Sequence, residues 1–384
     1  MFMIYFDNAA TTRPIDGLAK LAESYAASEW FNPSAMYPEA VEQEVRLNKC
    51  RKILCAPINA DPAHVIFNSC GTEGANTVIF RGYRAQGAKK LHFITSAYEH
   101  PCVYNSFKKL EEEGHALDIV SPRADGHIHA EDVASLVRED SALVSIMHVN
   151  NETGAVNDVA SIAAAVKAKN PETLFHSDGV QGYMKCPLDF GSSQIDYYTV
   201  SAHKLHALKG TGALFYKKGC PIKPYIIGGG QEGALRSGTE NTFGIYVFAA
   251  AIEQYAAHRD EYIEKMFALR RRFYDGFSRI PNVIDLCPKE DYAPHLVNVA
   301  IEGMRGEVLL HLLEKQGIAI STGSACSSKK KKQSRIHAHL KLPLEVEEGI
   351  IRISLCANNT PEEVDTTLEA IESALNKYRR FIRR

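Results

Sequence analysis

The sequence predicts an α/β protein with a mostly parallel, doubly wound sheet in a large domain, joined to a smaller α+β domain. Its 384 residues exceed the size at which one hydrophobic core usually stops growing. Short apolar runs alternate with helical patterns over the first half of the chain, which is typical of a parallel sheet. A helical stretch from Thr242 to about Ile280 is then long enough to link two domains.

Short apolar runs rich in β-branched and aromatic residues predict the strands of the large sheet. They are HVIFNS (64–69), LHFITSA (91–97), ALVSIMHVN (142–150), LFHSD (174–178), YYTVSAHK (197–204) and ALFYKK (213–218). Between two of them, VASIAAAVKAKN (159–170) has the pattern of a helix that Asp158 can cap. Ligands of such sheets lie beyond the carboxyl ends of the strands, where many of the polar residues considered below also fall.

The C-terminal part has its own strands and helices. HLVNVAI (295–301) and IIRISL (350–355) predict strands, and EVLLHLLEKQG (307–317) predicts a helix ended by Gly317. The last helix opens with a capping box, Thr360 to Glu363, with Pro361 at its first position. We therefore expect an N-terminal segment (1–15) that packs with the small domain, a large domain (16–255) and the small domain (256–384).

Composition and charge exclude several classes of protein. The chain is 45% hydrophobic and 23% charged, and its formal net charge is -2, so no overall field favours nucleic acid or a membrane surface. The start, MFMIYFDNAATT, lacks the basic region and long apolar stretch of a signal peptide, and the apolar run at 246–252 is too short to span a bilayer. These features predict a cytoplasmic protein without direct membrane or nucleic-acid binding.

Cysteine usage indicates a reducing environment and no metal centre. Nine cysteines make an odd count with no CxxC pair, so reduced thiols are expected rather than a disulfide framework. The fifteen histidines and nine cysteines also lack the paired spacings of metal ligands.

Lys204 lies in the segment that most strongly indicates a catalytic site. Ser201-Ala202-His203-Lys204 follows a predicted strand and precedes the glycine-rich KGTG (209–212). A lysine at a strand end among small residues can be desolvated enough for its amine to react with an aldehyde. Ser201 and His203 could hydrogen-bond a phosphate. The alternative interpretation is that Lys204 is a surface lysine after an edge strand, because a short motif of this kind does not distinguish the two.

Three further strand ends carry residues that suit the same ligand. Asp178 could keep a pyridine nitrogen protonated, with Gln181 bonding the ring oxygen. The turn Cys70 to Glu73 joins a strand to a helix and could bind phosphate through free N–H groups. His100 could stack on a ring. Each residue alone could be structural, but together at one sheet edge they indicate a site for a phosphorylated pyridine aldehyde.

These residues resemble the cysteine desulfurases, of the class V aminotransferase group and fold type I of pyridoxal-phosphate enzymes. The resemblance covers essentially the whole chain, in the family's order and close to its spacing. The segments that carry it are YFDNAATT (5–12), FNPSA (31–35), GTEGAN (71–76), EHP (99–101), VNNETG (149–154), HSDGVQ (176–181), SAHK (201–204), GGGQEGALRSGTEN (228–241), STGSACSS (321–328) and RISL (352–355).

The resemblance implies roles around the cofactor, pyridoxal 5'-phosphate. Lys204 would form the Schiff base and later move the substrate α-proton. Asp178 would pair with the pyridinium nitrogen, Gln181 with the ring oxygen, and His100 would stack on the ring and handle protons. The residues implied at the phosphate are Gly71, Thr72, Ser201 and His203, with Thr239 contributed by the second subunit of a homodimer.

The resemblance also implies a reaction. Asn151, beside the cofactor, and Arg352 would hold the carboxylate of L-cysteine, and Cys326 would receive its sulfur as a persulfide, leaving L-alanine. The sulfur would pass to an acceptor protein for iron–sulfur cluster assembly or thiolation. Cys326 stands among small residues beside Lys329–Lys332, whose charges favour a thiolate. That lysine run could dock an acidic acceptor or be a solvated loop.

Other functions remain possible from the sequence. A selenocysteine lyase or an aminotransferase could use the same scaffold, although an aminotransferase would not need Cys326. A non-catalytic protein that has kept the fold is disfavoured because the residues implied for catalysis are all intact: Lys204, Asp178, His100, Cys326 and Arg352. The chain departs from the family pattern at Ala35-Met36-Tyr37, where a histidine is frequent, and at Cys70 and Cys356.

Overall fold

The computed structural model describes residues 3–83, 89–322 and 335–382. Cys326 and Lys329–Lys332, on which the sulfur-transfer and docking predictions depend, lie outside the described residues. The strands in these ranges are β1 (Ile4–Tyr5), β2 (Val65–Asn68), β3 (His92–Ser96), β4 (Ala116–Val120), β5 (Ser141–Ser145), β6 (Leu174–Asp178), β7 (Tyr197–Ser201), β8 (Gly212–Tyr216), β9 (Val283–Asp285), β10 (Leu296–Ile301), β11 (Ile318–Ala319) and β12 (Ile350–Ser354).

The chain also forms helices. The α-helices of the same ranges are α1 (Leu18–Ser24), α2 (Pro38–Cys55), α3 (Gly71–Arg81), α4 (Pro101–Glu112), α5 (Ala130–Leu136), α6 (Val159–Lys169), α7 (Thr242–Ala257), α8 (Arg259–Phe277), α9 (Gly306–Glu314), α10 (Leu344–Glu347) and α11 (Pro361–Ile382). None of the described helices is long and apolar enough to cross a membrane.

The central sheet has seven strands in the order β2-β8-β7-β6-β5-β3-β4. Strands β3 to β7 run parallel, while β8 is antiparallel to both of its neighbours. The predicted α/β class with a mostly parallel sheet is therefore confirmed, and each of the predicted runs overlaps a strand. The sequence missed β4, an edge strand with one buried residue, which lacks a long apolar run.

The chain's first residues pack against its last third. β1 pairs in parallel with β11, and Phe6 belongs to a second hydrophobic cluster that includes Phe273, Val299 and Ile353. In the same part of the chain, β12, β10 and β9 form an antiparallel sheet. The domain boundaries given above remain a prediction.

Local signals set several helix ends as predicted. The Asp158 carboxylate accepts a hydrogen bond from the Ser161 N–H (3.0 Å) at the start of α6. In the capping box, Thr360 N–H donates to Glu363 Oε2 (3.1 Å) and Glu363 N–H to Thr360 Oγ1 (3.3 Å). Gly317, just beyond α9, has a φ of 76°, which favours glycine.

Candidate active site

Lys204 ends a short turn that continues directly from β7. Its Nζ donates hydrogen bonds to the backbone oxygens of Ala9 and Ala10 (2.7 Å to Ala10), so the N-terminal segment lies over the amine. Burial lowers the pKa of Lys204 to about 8, and the positive charges of Lys185 and Arg352 act in the same direction. Because only the neutral amine attacks a carbonyl, this environment prepares Lys204 for covalent attachment of an aldehyde.

The depressed pKa predicts how Lys204 reacts with amine reagents. In cofactor-free protein, its rate of modification by an acetylating reagent should be half-maximal near pH 8, whereas an ordinary lysine has a pKa of about 10.4. Peptide mass spectrometry at a series of pH values measures this rate, with free Nα-acetyl-lysine amide as the control. A profile for Lys204 that coincides with the free amide would contradict the desolvated environment.

Asp178 is the last residue of β6, and only 5% of its surface is exposed. Its Oδ1 accepts a hydrogen bond from the Val180 N–H (2.9 Å). Burial raises the pKa of Asp178, an effect opposed by the neighbouring His100 and Lys204. A buried carboxylate is stabilised by a cation in direct contact, and a protonated pyridine nitrogen would supply one.

His100 is the residue that caps α4. Its Nδ1 accepts a hydrogen bond from the Cys102 N–H (3.2 Å) and lies 2.9 Å from Cys102 Sγ. The side chain is partly open to solvent, yet the surrounding protein desolvates it, which lowers the pKa of His100. Lys204 and Arg335 lower the pKa further, while Asp178 raises it. The ring is therefore held as a neutral imidazole beside the other site residues.

A candidate phosphate-binding turn lies at the start of α3, where Gly71 and Thr72 occupy the first helical turn. The N–H groups of a first helical turn have no partner within the helix and can bind an anion. A Cβ on Gly71 would stand 2.7 Å from Cγ2 of Val180, so this position requires glycine to bring the turn close to the loop after Asp178.

Ser201 and His203 approach from the end of β7. Ser201 is 3% exposed, and its Oγ has no hydrogen-bond partner among the described residues. A buried hydroxyl left unpaired is costly unless a ligand pairs with it. His203 Nδ1 lies 3.2 Å from Thr11 Oγ1, so the second candidate phosphate ligand is already held by the N-terminal segment.

Gln181 contacts the same N-terminal backbone as Lys204. Its Nε2 donates to the Ala9 oxygen (3.0 Å), and its Oε1 lies 3.1 Å from His295 Nε2. His295 was not predicted from the sequence, although it opens the run HLVNVAI. The amide of Gln181 is thus fixed from both ends within the site.

Arg352, on β12, reaches the site from the small antiparallel sheet. It is 6% exposed, and it donates from Nη1 to the Asn151 backbone oxygen (3.0 Å) and from Nη2 to Asp7 Oδ1 (2.9 Å). Its Nε and the Asn151 Oδ1 are buried without hydrogen-bond partners in the described part of the chain. The guanidinium is oriented by two protein acceptors and keeps one donor, Nε, without a protein partner in the described part of the chain. Asp7 was not singled out from the sequence, although it lies in YFDNAATT.

One predicted site residue, Thr239, is not brought into this cluster. Thr239 is exposed and lines a small cavity with Asn68, Ser69 and Gly210. Its contribution from a second subunit remains a prediction. Cys326 lies outside the described residues.

Residues 323–334, which include Cys326, lie outside the described residues, and the described residues on either side of them contact the site. Before it, Ser321 exchanges two backbone hydrogen bonds with Arg352 (3.0 and 2.7 Å). After it, the Arg335 guanidinium donates to the backbone oxygens of Glu99 (2.6 Å) and Ala97. One flank therefore contacts the candidate carboxylate-binding arginine, and the other contacts the residue next to His100.

The eight cysteines in the described ranges are free thiols. No group of three or more His, Cys, Asp or Glu side chains in those ranges is arranged to hold a metal ion. The site instead combines a desolvated amine, a buried carboxylate, a candidate phosphate-binding turn and an oriented guanidinium. These groups fit a phosphorylated pyridine aldehyde together with a substrate that carries a carboxylate.

Comparison with known proteins gives the site a family context. A family model described as aminotransferase class-V matches residues 4–367. A relative from Nostoc sp. named cysteine desulfurase is 34% identical over 380 residues, which cover 99% of this chain and 94% of the relative. A cysteine desulfurase IscS of Dictyoglomus turgidum is 32% identical, with 98% of this chain and 95% of the relative covered.

Solved structures agree in fold. One titled NIFS-like protein has a TM-score of 0.91 and 34% sequence identity, covering 98% of this chain and 100% of its own. A structure titled SspA in complex with cysteine has a TM-score of 0.79 and 27% identity, covering 93% of this chain and 100% of its own.

Proposed function

The chain belongs to the aminotransferase class-V family, and from that premise we propose its function: it is a pyridoxal-phosphate-dependent cysteine desulfurase. It takes sulfur from L-cysteine and releases L-alanine. The observation that carries the proposal is the meeting of Lys204, Asp178 and Arg352 in one site. Lys204 is desolvated, Asp178 is buried, and Arg352 keeps an unpaired Nε.

The residues present fit the cofactor. Lys204 would hold its aldehyde carbon, Asp178 would face its pyridine nitrogen, and the first turn of α3 with Ser201 would hold its phosphate. When bound, pyridoxal phosphate supplies an electron sink for the charge that develops when the substrate loses its α-proton. Asp178 would stabilise this charge, because its carboxylate would keep the pyridine nitrogen of the cofactor protonated.

The chain's own residues would then bind the substrate and move its protons. Arg352 and Asn151 bind the carboxylate of L-cysteine, with Asp7 holding the outer Nη2 of the arginine in place. Lys204 Nζ is the base that takes the α-proton and later returns it. Its lowered pKa suits both tasks, since the amine is close to half protonated near pH 8.

We propose Cys326 as the sulfur-accepting residue. Its thiolate attacks the sulfur of the bound cysteine, an S–S bond forms, and the Cβ–S bond of the substrate breaks. The bonding electrons remain with the three-carbon fragment, which is protonated to alanine. One L-cysteine and one protein thiol thus give one L-alanine and one protein persulfide. The contacts of Ser321 with Arg352 and of Arg335 with Glu99 support this proposal.

A homodimer is proposed as the working state, with Thr239 of one subunit completing the phosphate site of the other. Large apolar side chains exposed on one chain support it, among them Met36 (96% exposed), Ile227 (83%) and Trp30 (58%). Exposed apolar surface of this kind is characteristic of protein–protein contacts.

The fate of the sulfur is also proposed. A persulfide on Cys326 would pass to an acceptor protein serving iron–sulfur cluster assembly or a thiolation pathway. The Lys329–Lys332 run would assist if that acceptor is acidic. The cytoplasmic location remains a prediction from the sequence.

The proposed function is tested by spectroscopy and product analysis on the purified protein. We expect a yellow protein, or one that becomes yellow with pyridoxal phosphate, that converts L-cysteine to equal amounts of L-alanine and sulfide with a reducing thiol present. A protein that stays colourless with the cofactor would overturn the cofactor assignment. Turnover of selenocysteine alone would favour a selenocysteine lyase, and amino-group transfer to a keto acid would favour an aminotransferase.

Arg352→Lys should weaken binding of L-cysteine while leaving the cofactor spectrum nearly unchanged. Lysine keeps the charge but loses the planar geometry that engages a carboxylate with two donors. One charge-assisted hydrogen bond is worth about 1.5–3 kcal/mol, so KM should rise roughly tenfold to a hundredfold. Arg272→Lys, at an exposed ion pair with Asp365, is the matched control. Loss of cofactor with unchanged KM would mean that Arg352 is structural.

A further inference from the structure

Cys102 makes two contacts with one nitrogen of His100. It is the second residue of α4, and its backbone N–H donates to His100 Nδ1 over 3.2 Å. Its Sγ lies 2.9 Å from the same Nδ1. The resemblance assigns no role to this cysteine, and the reaction described above does not use it.

The Cys102 sulfur is the donor in the second contact. Burial raises the pKa of the Cys102 thiol to about 12, and the negative charge of Asp178 adds to this effect. A hydrogen bond from the Thr72 side chain acts in the opposite direction without cancelling it. The sulfur therefore keeps its hydrogen at neutral pH. Because Nδ1 already accepts the Cys102 backbone N–H, that nitrogen carries no hydrogen and the S–H is the donor in the second contact.

Two donors on Nδ1 decide where the imidazole carries its hydrogen. A ring nitrogen that accepts hydrogen bonds has no hydrogen of its own, so the neutral ring must carry its hydrogen on Nε2. Placing a proton on Nδ1 would bring it against both the N–H and the S–H of Cys102. The pair thus favours one tautomer and one orientation of the ring.

We propose that Cys102 is a positioning residue for His100: its thiol holds the imidazole in the Nε2–H tautomer, so that His100 acts on the substrate as a neutral hydrogen-bond donor. The proposal rests on the proposed function only for the role of His100 towards the substrate. The tautomer itself follows from the contacts of Cys102. Thr72, in the first turn of α3, also acts on this thiol, since hydrogen bonding by its side chain lowers the pKa of Cys102.

Other charged groups around His100 contribute to its titration. Asp178 at the end of β6 favours the protonated ring, while Lys204 after β7 and Arg335 disfavour it. These groups are common to the wild type and to Cys102 variants. A change in the titration of His100 on replacing Cys102 alone therefore reports the contribution of the thiol.

The experiment compares Cys102→Ala with Cys102→Ser in holoenzyme containing ¹⁵N-labelled histidine. Nuclear magnetic resonance of the ring nitrogens reports tautomer and pKa directly, and His100→Gln identifies the signal. We expect the Nε2–H tautomer in the wild type. In the alanine variant this tautomer should lose population, and the pKa of His100 should rise by roughly half to one unit, since one hydrogen bond to the neutral ring is lost. Serine, which keeps a donor, should restore both.

Kinetics provide the second measurement. The acidic limb of the kcat/KM profile should move to higher pH in Cys102→Ala by the same interval and return in Cys102→Ser. Cys220→Ala, at another half-buried thiol, should match the wild type. An Nδ1–H tautomer in the wild type, or a serine variant no closer to the wild type than the alanine variant, would overturn the proposal. Because the resonance signals do not depend on turnover, failure of this proposal is distinguishable from failure of the desulfurase assignment.

Discussion

Cys326→Ser is expected to retain the cofactor spectrum and L-cysteine binding while losing sulfide release by at least about a thousandfold. Binding uses Lys204, Asp178 and Arg352, which the substitution leaves in place. The serine hydroxyl is almost fully protonated at neutral pH and is a poor nucleophile towards sulfur, so the S–S bond cannot form. The substrate should therefore bind and the reaction should stop before the Cβ–S bond breaks.

Mass spectrometry supplies the complementary measurement on the wild type. After incubation with L-cysteine, the peptide that contains Cys326 should gain the mass of one sulfur atom, and a reducing thiol should remove it. Cys220→Ser is the matched control and should release sulfide at the wild-type rate. Undiminished sulfide release by Cys326→Ser, or a persulfide found only on another cysteine, would show that Cys326 is not the acceptor.

Asp178→Asn should still bind pyridoxal phosphate but form alanine about two to four orders of magnitude more slowly. The amide oxygen can keep the hydrogen bond from Val180, so the loop should hold its shape. An amide cannot keep the opposing ring nitrogen protonated, so the charge that follows loss of the α-proton loses its stabilisation. Uncoupling a buried ion pair costs about 3–5 kcal/mol, which sets the expected range.

The rate of alanine formation at saturating L-cysteine measures this effect. Asp189→Asn changes a carboxylate that accepts a turn hydrogen bond from Ser192 (3.0 Å) outside the site, and it should behave as the wild type. Near-wild-type turnover in Asp178→Asn would mean that another group faces the ring nitrogen. Failure of Asp178→Asn to bind the cofactor at all would assign the carboxylate a structural role instead.

Much of the fold could be predicted because its determinants are local. Apolar runs that alternate with helical patterns predicted the strands of the central sheet. A parallel strand that is buried on both faces needs a continuous apolar stretch. Caps such as Asp158 and the box from Thr360 to Glu363 act within four residues, so they can be recognised in the sequence. The edge strand β4 could not be recognised in the sequence. It is mostly unburied, so it has no long apolar run, and its pairing with β3 makes it a strand.

The candidate site could be predicted from the sequence to a similar extent. Lys204 and Asp178 each end a strand, and the carboxyl ends of neighbouring parallel strands meet at one edge of a sheet. Their proximity thus follows from the strand pattern. Their electrostatic state does not, because the pKa of Lys204 depends on burial under Ala9 and Ala10 and on the charge of Lys185.

The sequence by itself determined the fold class, the helix ends set by local caps, and the strand ends from which the cofactor site is built. Only the tertiary structure decided which distant groups orient them: Asp7 on Arg352, the N-terminal backbone on Lys204, and His295 on Gln181. The physical reason is the separation along the chain over which each effect acts. Caps and strand periodicity act between neighbours in the chain, whereas desolvation and the pairing of buried polar groups depend on segments that folding brings together.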